Sequence, residues 1–548
     1  MGSHPRVERP IGFRSPRARR ALHCAPVLMR VYKSAVASID YPAVSITEHV
    51  LRMAKERADA VAMHDGSSGR ELTYAQLDAQ IRSLAGGLAA RGVGPGTTWA
   101  LMAPNMPEYA VVFHGLAYAG ATVTTLNPTY GAEELAFQLR DSKSTAIVTV
   151  GPFLEVAKAA AAEAGVDEVI VIGPGDATPI GDYFGPALEA QVEVDLETHI
   201  VVLPYSSGTT GFPKGVMLTH RNLVANLEQL GGHLQVDPDE ACYAVLPFFH
   251  IYGMQVLMNF AISRGAKVVC VPRFDLVQML ELTQSLKITR LFLVPPIILA
   301  LAKHPVVDKF DLSSVVEIFS GAAPLGGEIA EAAAQRLGCR IAQGYGMTEL
   351  SPVTHAIYPG DYKAASVGTL VADTEARLVD PESGEDAAPG ARGELWVRGP
   401  QVMLGYLENP EATAQTIDAE GWLHTGDIAI IDEDGHTFIV DRLKELIKVK
   451  GFQVAPAELE ALLITNPRVA DVAVIGIPDA ESGEAVKAFI VAAPTPEGEA
   501  ELDADAVKAF VSERVATYKQ LAHVEFIDAI PKSASGKILR RELRDREG

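Results

Sequence analysis

Apolar residues follow two different patterns along this chain, a helical spacing in some segments and short unbroken runs in others. In segment 73–88 the apolar residues Leu77, Ile81, Leu84 and Leu88 fall on one side of a helix, so this segment is predicted to be helical. Short apolar runs predict strands at 98–102, 145–150, 168–172, 200–203, 267–271 and 290–294. Most of these runs are separated by segments of helix length, which predicts an α/β fold with a mostly parallel sheet.

The pattern changes twice toward the C-terminus. Segment 375–435 is rich in short strand-like runs and in Gly, Pro and Asp turns, which predicts a smaller β-rich subdomain. After Asp441, strands at 472–477, 486–491 and 523–527 and a helix at 504–515 predict a compact α+β unit. We therefore expect a large N-terminal domain of packed sheets and helices, 29–441, and a small C-terminal domain, 442–548.

Composition and charge narrow the class of protein. Of the 548 residues, 48% are apolar and 21% are charged, which is typical of a folded globular protein. The formal charge of 47 − 69 = −22 repels a phosphate backbone, so nucleic acid is not an expected partner. The strongly apolar segment 291–302 is too short to span a bilayer and contains two prolines, so no membrane insertion is expected. The four scattered cysteines predict neither a zinc site nor a disulfide framework and favour a cytoplasmic location.

Residues 1–28 differ from the rest of the chain. They contain six arginines, the single acidic residue Glu8 and no periodic apolar face, which predicts a disordered tail. A targeting segment is the alternative, since such segments are rich in arginine and poor in acids. A misassigned start is a further one, because Met29 offers a second initiation point.

A segment rich in Gly, Ser and Thr follows the apolar run 200–203 directly. Its hydroxyls and glycines can surround phosphate oxygens and its lysine adds a positive charge; these residues are Ser206, Ser207, Gly208, Thr209, Thr210, Gly211 and Lys214. The spacing is not that of a Walker A loop. A surface linker of the same composition is the alternative, but the strand before it and the lysine near its end favour a phosphate-binding loop.

Segment 205–215 closely resembles the phosphate loop of the adenylate-forming superfamily, which comprises acyl-CoA ligases, adenylation domains and beetle luciferases. Four more segments resemble family motifs in the family order: 343–349 the adenine and metal segment, 421–427 the ribose segment, 441–444 the interdomain hinge and 531–537 the catalytic lysine loop. The resemblance extends from about Ser45 to the C-terminus. It implies the family fold, in which the C-terminal domain is a mobile lid.

The resemblance implies that this chain uses ATP, Mg²⁺ and coenzyme A. The implied ATP and AMP contacts are the seven loop residues above with Gln343, Gly344, Tyr345, Thr348, Asp427, Arg442 and Lys537. A tyrosine between glycines can stack on a purine, and Asp427 can accept hydrogen bonds from ribose hydroxyls. Glu349 is a hard oxygen ligand suited to Mg²⁺. The implied catalytic residues are Lys537, His250, Thr210 and Glu349.

Within the superfamily, segment 441–460 most closely resembles the 4-coumarate CoA ligases. The implied acid site comprises Ile251, Tyr252, Phe292, Phe319, Gly321, Ala322, Ala323, Gly344, Pro352 and Val353. These residues form an apolar slot that suits a flat ring. Gln255 and Phe319 replace the Asn and Lys that many plant relatives carry, which leaves the preferred ring substitution open. No acidic residue lies between Ala241 and Arg264, which disfavours an α-amino acid as substrate.

Five residues near the hinge, three of them lysines, resemble the family's coenzyme A contacts. They are Lys444, Lys448, Lys450, Gly451 and Gln453. The implied reaction joins a small carboxylic acid, cinnamate or 4-coumarate, to coenzyme A through an acyl-adenylate, as in phenylpropanoid metabolism, and the small domain turns about Lys444 between the two steps.

Three alternatives stay open on the sequence: a medium-chain fatty acyl-CoA ligase, a luciferase-like oxidative enzyme and a silent nucleotide-binding scaffold. Joint presence of Lys214, Glu349, Asp427, Arg442 and Lys537 disfavours the scaffold. A monomer or a homodimer is expected.

Overall fold

The computed structural model describes residues 1–2, 29–206, 213–479, 481–494, 501–533 and 536–547 of the chain. Nearly all of the predicted tail, 3–28, and the loop residues 207–212 therefore lie outside the described residues. The strands, in chain order, are β1 (Tyr32–Lys33), β2 (Val61–Asp65), β3 (Glu71–Thr73), β4 (Thr98–Met102), β5 (Thr122–Thr125), β6 (Ala146–Val150), β7 (Glu168–Ile172), β8 (Thr178–Pro179), β9 (Ile200–Leu203), β10 (Tyr205–Ser206), β11 (Lys214–Thr219), β12 (Ala241–Ala244), β13 (Lys267–Cys270), β14 (Arg290–Leu293), β15 (Glu317–Ser320), β16 (Arg340–Gly346), β17 (Val353–Ala356), β18 (Thr369–Leu370), β19 (Glu375–Val379), β20 (Gly393–Arg398), β21 (Gly405–Tyr406), β22 (Leu423–Ile431), β23 (Thr437–Arg442), β24 (Ile447–Val449), β25 (Phe452–Val454), β26 (Val469–Asp479), β27 (Gly483–Ala492) and β28 (His523–Phe526).

Helices fill most of the connections between these strands. The α-helices are α1 (Ile46–Val50), α2 (Tyr74–Ala90), α3 (Pro107–Tyr118), α4 (Ala132–Asp141), α5 (Leu154–Ala164), α6 (His220–His233), α7 (Phe260–Ser263), α8 (Leu276–Leu286), α9 (Pro295–Lys303), α10 (Gly327–Leu337), α11 (Pro410–Thr416), α12 (Pro456–Leu463), α13 (Ala504–Ser512) and α14 (Arg540–Asp545). A π-helix, Tyr252–Asn259, leads directly into α7. Among the described residues, no helix is both long enough and apolar enough to cross a membrane.

Two nine-stranded sheets form the body of the molecule. One has the order β10-β11-β9-β5-β4-β6-β7-β8 with β21 paired to β11, and the other has the order β18-β17-β16-β15-β14-β12-β13-β2-β3. The central pairings of both sheets are parallel, as the alternation of strands and helices predicts. One large cluster of buried apolar side chains packs both sheets against their helices.

Local sequence explains where two of the helices begin. Thr73 caps α2 through two reciprocal hydrogen bonds. Its side chain accepts one from the Gln76 N–H, and the Gln76 side chain accepts one from the Thr73 N–H. The apolar segment 291–302 divides into strand β14 and helix α9, which starts with Pro295 and Pro296. Proline fits the first helical turn, where its missing N–H leaves no bond unmade.

The β-rich subdomain is a five-stranded antiparallel sheet of order β1-β19-β20-β22-β23. It is wider than the predicted segment 375–435, because β1 joins one edge and β23 joins the other. Within it, Trp396 of β20 stacks on His424 of β22 with ring centroids 3.7 Å apart. Two-residue β1 has no periodic pattern of its own, so its pairing arises only in the folded chain.

The C-terminal part has its own sheet, β25-β24-β27-β26 with β28 paired to β27, and its own apolar cluster. The strand predictions at 472–477 and 486–491 are confirmed within β26 and β27, and the one at 523–527 is confirmed except for its last residue, because β28 ends at Phe526. Helix α13 starts at Ala504 as predicted, because the Asp503 side chain accepts a hydrogen bond from the Ala506 N–H. It ends at Ser512 rather than at residue 515.

Candidate active site

The candidate site lies where the parallel strands β14, β15 and β16 reach their carboxyl ends. Phe292 pairs with Phe319, and Ser320 pairs with Gln343, so the segments that follow these strands are neighbours. Such an edge is where open α/β sheets place their ligands. The predicted acid-site and adenine segments are therefore brought together by the topology of one sheet.

Glu349 is the centre of a first group of predicted site residues. Its Oε1 accepts hydrogen bonds from the Ser206 hydroxyl at 2.8 Å and from the Tyr406 hydroxyl at 2.8 Å. The Lys214 Nζ lies 4.3 Å from the centroid of the Tyr406 ring, a cation–π distance. Burial raises the pKa of Tyr406 above its usual range, and the charge of Glu349 adds to this effect.

This first group fits the metal that the family motifs imply. Within the described part of the chain, hydrogen bonds reach only Oε1 of Glu349, so its second carboxylate oxygen is available to a hard cation. No group of three or more His, Cys, Asp or Glu side chains suited to a metal ion lies among the described residues. Glu349 is thus a single carboxylate beside the start of the phosphate loop.

Tyr406 was not predicted from the sequence. It follows Gly405 in a two-residue strand, β21, which pairs antiparallel with β11 and so brings the tyrosine over Lys214. A lone tyrosine almost two hundred residues from its partner carries no local signal. Only the strand pairing places it in the site.

Asp427 is the centre of a second group. The Tyr345 hydroxyl donates to Oδ2 of Asp427 at 2.6 Å, and the Arg442 Nε lies 3.3 Å from its Oδ1. Asp427 and Arg442 face each other across β22 and β23, so the predicted ribose segment and hinge segment are cross-strand neighbours. Burial, followed by the charge of Asp427, raises the pKa of Tyr345 well above its usual range.

Lys537 of the C-terminal part lies within the electrostatic range of this second group. Burial lowers the pKa of Lys537 to about 8; the nearby charge of Arg442 lowers it further, whereas Asp427 and Glu445 oppose the shift. The loop is held by hydrogen bonds between Ser533 and Lys537, at 2.8 Å from the Ser533 N–H to the Lys537 carbonyl and at 3.2 Å from the Lys537 N–H to the Ser533 hydroxyl. A Cβ on the adjacent Gly536 would lie 3.1 Å from Val294, at the carboxyl end of β14.

His250 lies near enough to Lys537 for the lysine charge to act on it. Its Nδ1 accepts a hydrogen bond from the Tyr252 N–H at 3.2 Å. Burial lowers the pKa of His250 to about 4, and the charge of Lys537 contributes. The imidazole is therefore neutral at pH 7, with its proton on Nε2, where it can donate a hydrogen bond.

Aromatic rings and glycines line the predicted acid slot. The Tyr252 hydroxyl donates to the Phe319 carbonyl at 3.1 Å, and the Phe292 and Phe319 ring centroids are 6.0 Å apart. A Cβ on Gly321 would lie 2.9 Å from the Tyr252 ring, and one on Gly344 would lie 2.4 Å from the tip of Phe319. Both glycines are needed for these close approaches.

The other predicted residues of this region lie around the same edge. Ile251, Pro352 and Val353 are buried, whereas Ala323 is half-buried and Ala322 is exposed with a φ of 69°. The Gln343 Oε1 accepts a hydrogen bond from the Leu325 N–H at 3.2 Å. Thr348 begins the short 3-10 helix Thr348–Leu350 that carries Glu349. The loop residues Ser207, Gly208, Thr209, Thr210 and Gly211 lie outside the described residues.

The predicted coenzyme A residues form a separate, exposed surface. Lys448 and Gln453 pair across the hairpin of β24 and β25, and its turn is Lys450-Gly451, both with positive φ. Lys444 lies just before this hairpin and is exposed. Among the described residues, no hydrogen bond or ion pair joins these side chains to the Asp427 group.

Comparison with known proteins agrees with this geometry. A family model described as AMP-binding enzyme matches residues 50–407, and one described as AMP-binding enzyme C-terminal domain matches residues 458–537. The chain is 44% identical to 4-coumarate–CoA ligase 1 of Petroselinum crispum, over 89% of this chain and 91% of that protein. It is 42% identical to 4-coumarate–CoA ligase 5 of Oryza sativa subsp. japonica, over 94% and 97%.

A solved structure shares the fold across nearly the whole chain. The anthranilate CoA ligase AuaEII, in complex with anthranoyl-AMP, superposes with a TM-score of 0.85 at 27% identity, over 92% of this chain and 97% of that one. The predicted α/β fold with a smaller C-terminal domain is thereby confirmed. The chain belongs to the AMP-binding, adenylate-forming enzyme family, and within it is similar to the 4-coumarate–CoA ligases.

Proposed function

We propose that this chain is an AMP-forming acid–thiol ligase that converts cinnamate or 4-coumarate into a coenzyme A thioester in two steps. The observation that carries the proposal is the environment of Lys537, a buried ammonium that feels the charges of Arg442 and Asp427 and whose own charge acts on His250. This arrangement brings a cation into the electrostatic range of both the group suited to ribose and the histidine that precedes the aromatic slot. The similarity to curated 4-coumarate–CoA ligases supports the same activity.

In the first step, the carboxylate of the acid attacks the α-phosphorus of ATP and the bond to pyrophosphate breaks. The Lys537 ammonium stabilises the negative charge that develops on the α-phosphate, which is the role a fixed cation performs best in a site that excludes water. The neutral His250 can donate from Nε2 to the acid without adding a competing charge. Asp427 and Tyr345 orient the nucleoside.

Mg²⁺ belongs to this proposal. Glu349 would hold it together with phosphate oxygens, and the ion would neutralise charge on the leaving pyrophosphate. The Ser206 and Tyr406 hydroxyls orient the Glu349 carboxylate by donating to its Oε1. The second oxygen is left for the cation.

In the second step, the coenzyme A thiolate attacks the carbonyl carbon of the acyl-adenylate and AMP leaves. In this orientation of the C-terminal domain, 442–548, no described hydrogen bond or ion pair joins the exposed hairpin with Lys448, Lys450 and Gly451 to the Asp427 group. We infer that the domain turns at Lys444 to exchange Lys537 for this hairpin.

A cytoplasmic location suits the three described cysteines, which are all free thiols.

Thioester formation across a panel of acids tests the substrate class. Cinnamate, 4-coumarate, benzoate, octanoate and acetate are compared by kcat/KM, with AMP release and the thioester measured together. Burial of a flat ring in the Phe292–Phe319 slot predicts that the two cinnamates exceed acetate by about two orders of magnitude. Octanoate is the main competitor, but a flexible chain loses more rotamer freedom on binding.

The outcomes separate the class of reaction from the choice of acid. If kcat/KM for octanoate exceeds that for both cinnamates, the assignment of an aromatic acid is wrong, but the assignment of ligase activity is unaffected. If no acid gives AMP in the presence of ATP and coenzyme A, the ligase itself is wrong. Light from luciferin, ATP and air would indicate the oxidative alternative.

A further inference from the structure

A continuous row of buried, hydrogen-bonded polar side chains joins helices α1 and α3 to the π-helix that begins with the acid-site residue Tyr252. The Thr47 hydroxyl is 3.1 Å from Nδ1 of His114, and Nε2 of His114 is 3.2 Å from Oδ1 of Asn259. The Asn259 Nδ2 donates to Oε1 of Gln255 at 3.0 Å, and the Gln255 Nε2 donates to the Leu223 carbonyl at 2.7 Å. All four side chains are fully buried.

The donor and acceptor in each hydrogen bond of this row are determined by the Leu223 carbonyl at its end. The Leu223 carbonyl can only accept, so Gln255 presents its NH₂ to it and its Oε1 to Asn259. Asn259 must then donate from Nδ2 and accept at Oδ1, which requires the proton of His114 on Nε2. Nδ1 of His114 in turn accepts from the Thr47 hydroxyl. Burial lowers the pKa of His114 to about 4, which agrees with this neutral tautomer.

The last two side chains of this hydrogen-bonded row belong to an unusual element. Gln255 and Asn259 both belong to the π-helix Tyr252–Asn259, and all eight of its residues are buried. A π-helix is rare and its hydrogen bonds alone do not favour it over an α-helix, so side-chain contacts must maintain it. The only described side chains that donate to or accept from Gln255 and Asn259 side chains are these two and His114.

The same π-helix presents the acid slot. Tyr252 starts it, with its hydroxyl on the Phe319 carbonyl and its ring against Gly321. His250 lies two residues earlier and accepts from the Tyr252 N–H. A change in the winding of residues 252–259 would therefore move the wall of the acid site, whereas the Asp427 and Glu349 groups lie on other elements.

We propose that His114 and Asn259 are positioning residues for the acid substrate: their directed hydrogen bonds hold the π-helical winding that sets Tyr252 and His250 in the acid site. Neither residue contacts the slot directly through a described hydrogen bond. The inference rests on the proposed function, because it assigns the slot to the acid.

The test compares two substitutions of one residue. His114→Phe keeps a planar ring but leaves Asn259 Oδ1 and the Thr47 hydroxyl without this partner, whereas His114→Gln can still donate to Asn259 and accept from Thr47. We expect His114→Phe to lower kcat/KM for the best acid about tenfold, chiefly through KM, and to change the KM for ATP less than about twofold. His114→Gln should restore most of the loss.

A control in the same helix separates positioning from loss of stability. Val112→Ala removes buried apolar volume from α3 without touching this row of polar side chains, so it should lower the unfolding temperature and leave both KM values near those of the parent. Should His114→Phe not fold, Thr47→Val decides, since it is nearly isosteric and removes only the first donor. It should raise the KM for the acid in the same direction by a smaller factor.

Two results would overturn the proposal: equal changes in the KM for acid and for ATP, or an unchanged KM for acid in Thr47→Val and His114→Phe. Failure of the proposed function is seen separately, in the parent. If the parent prefers octanoate, the measurement is made with octanoate and still tests the positioning role. If the parent activates no acid at all, both the function and this inference are wrong.

Discussion

At the scale of single residues, Lys537 has the most direct chemical consequence. Lys537→Ala removes the cation beside Asp427 and Arg442, so we expect the formation of acyl-adenylate to fall by about 10²- to 10³-fold. Thioester formation from a supplied acyl-adenylate should survive, because in the proposed second step the domain turn has already removed Lys537 from the site. ATP–pyrophosphate exchange and a coenzyme A transfer assay measure the two steps, and an unchanged exchange rate would show that the assignment is wrong.

The lowered pKa of Lys537 also predicts a pH profile. The ammonium is the active form, and its pKa of about 8 means that this charge is present below that pH and is lost as pH rises through it. We expect kcat/KM for adenylation, which reports the free enzyme, to decline above pH of about 8. His250 is neutral across this range, so no limb near pH 6.5 should come from it. A profile that is flat up to pH 10 would contradict this prediction.

Motif residues such as Asp427, Arg442 and Lys537 could be predicted because each lies in a short segment whose chemistry is local. The structure places these three together, with the loop residues 207–211 outside its described part. Tyr406 and Asn259 could not be predicted in the same way. Each acts through a partner that is distant in sequence, and only strand pairing or helix packing brings that partner near.

At the scale of elements, regular periodicity was a good guide and irregular winding was not. Strands β4, β7 and β9 match their predicted bounds, and the predicted helix at 73–88 coincides with the N-cap Thr73 and most of helix α2. The π-helix Tyr252–Asn259 has no such signal, because every position in a fully buried segment is apolar or internally bonded. Its winding depends on contacts with α3 and α6 rather than on its own sequence.

Strand β16 gives a prediction at this scale. Gly344→Ala adds a Cβ that would lie 2.4 Å from Phe319, so this ring, which lines the acid slot, must shift and change the shape of the slot. We expect kcat/KM for cinnamate to fall at least about tenfold, while acetate, which needs less of the slot, is affected less. Gly181→Ala is the matched control, since a Cβ there meets nothing within 4 Å. Equal losses for both acids would contradict the prediction.

At the scale of the whole molecule, two apolar clusters meet at a small contact. Ile464, at the end of α12, packs against both the N-terminal and the C-terminal cluster. The Lys303 Nζ, at the end of α9, donates to the Ile464 carbonyl at 3.1 Å. This contact belongs to the orientation that places Lys537 in the site.

Loss of this contact should favour the other orientation. Lys303→Met keeps the apolar stem and removes the donor, so we expect adenylation to slow about threefold while thioester formation from supplied adenylate stays constant or rises. Lys309→Met, an exposed lysine six residues later, is the control. An equal effect on both half-reactions would mean that the contact supports folding and not orientation.

The stack of Trp396 on His424 should make intrinsic tryptophan fluorescence sensitive to nucleotide binding. The chain has three tryptophans; Trp396 lies in β20 of the antiparallel sheet that carries Asp427, and Trp422 lies just before β22 of the same sheet. Because His424 precedes Asp427 by three residues in β22, a nucleotide that shifts this strand alters the quenching of indole emission. ATP titration can thus be followed by intrinsic fluorescence, without dye or coupled assay, and Trp396→Phe identifies the emitter.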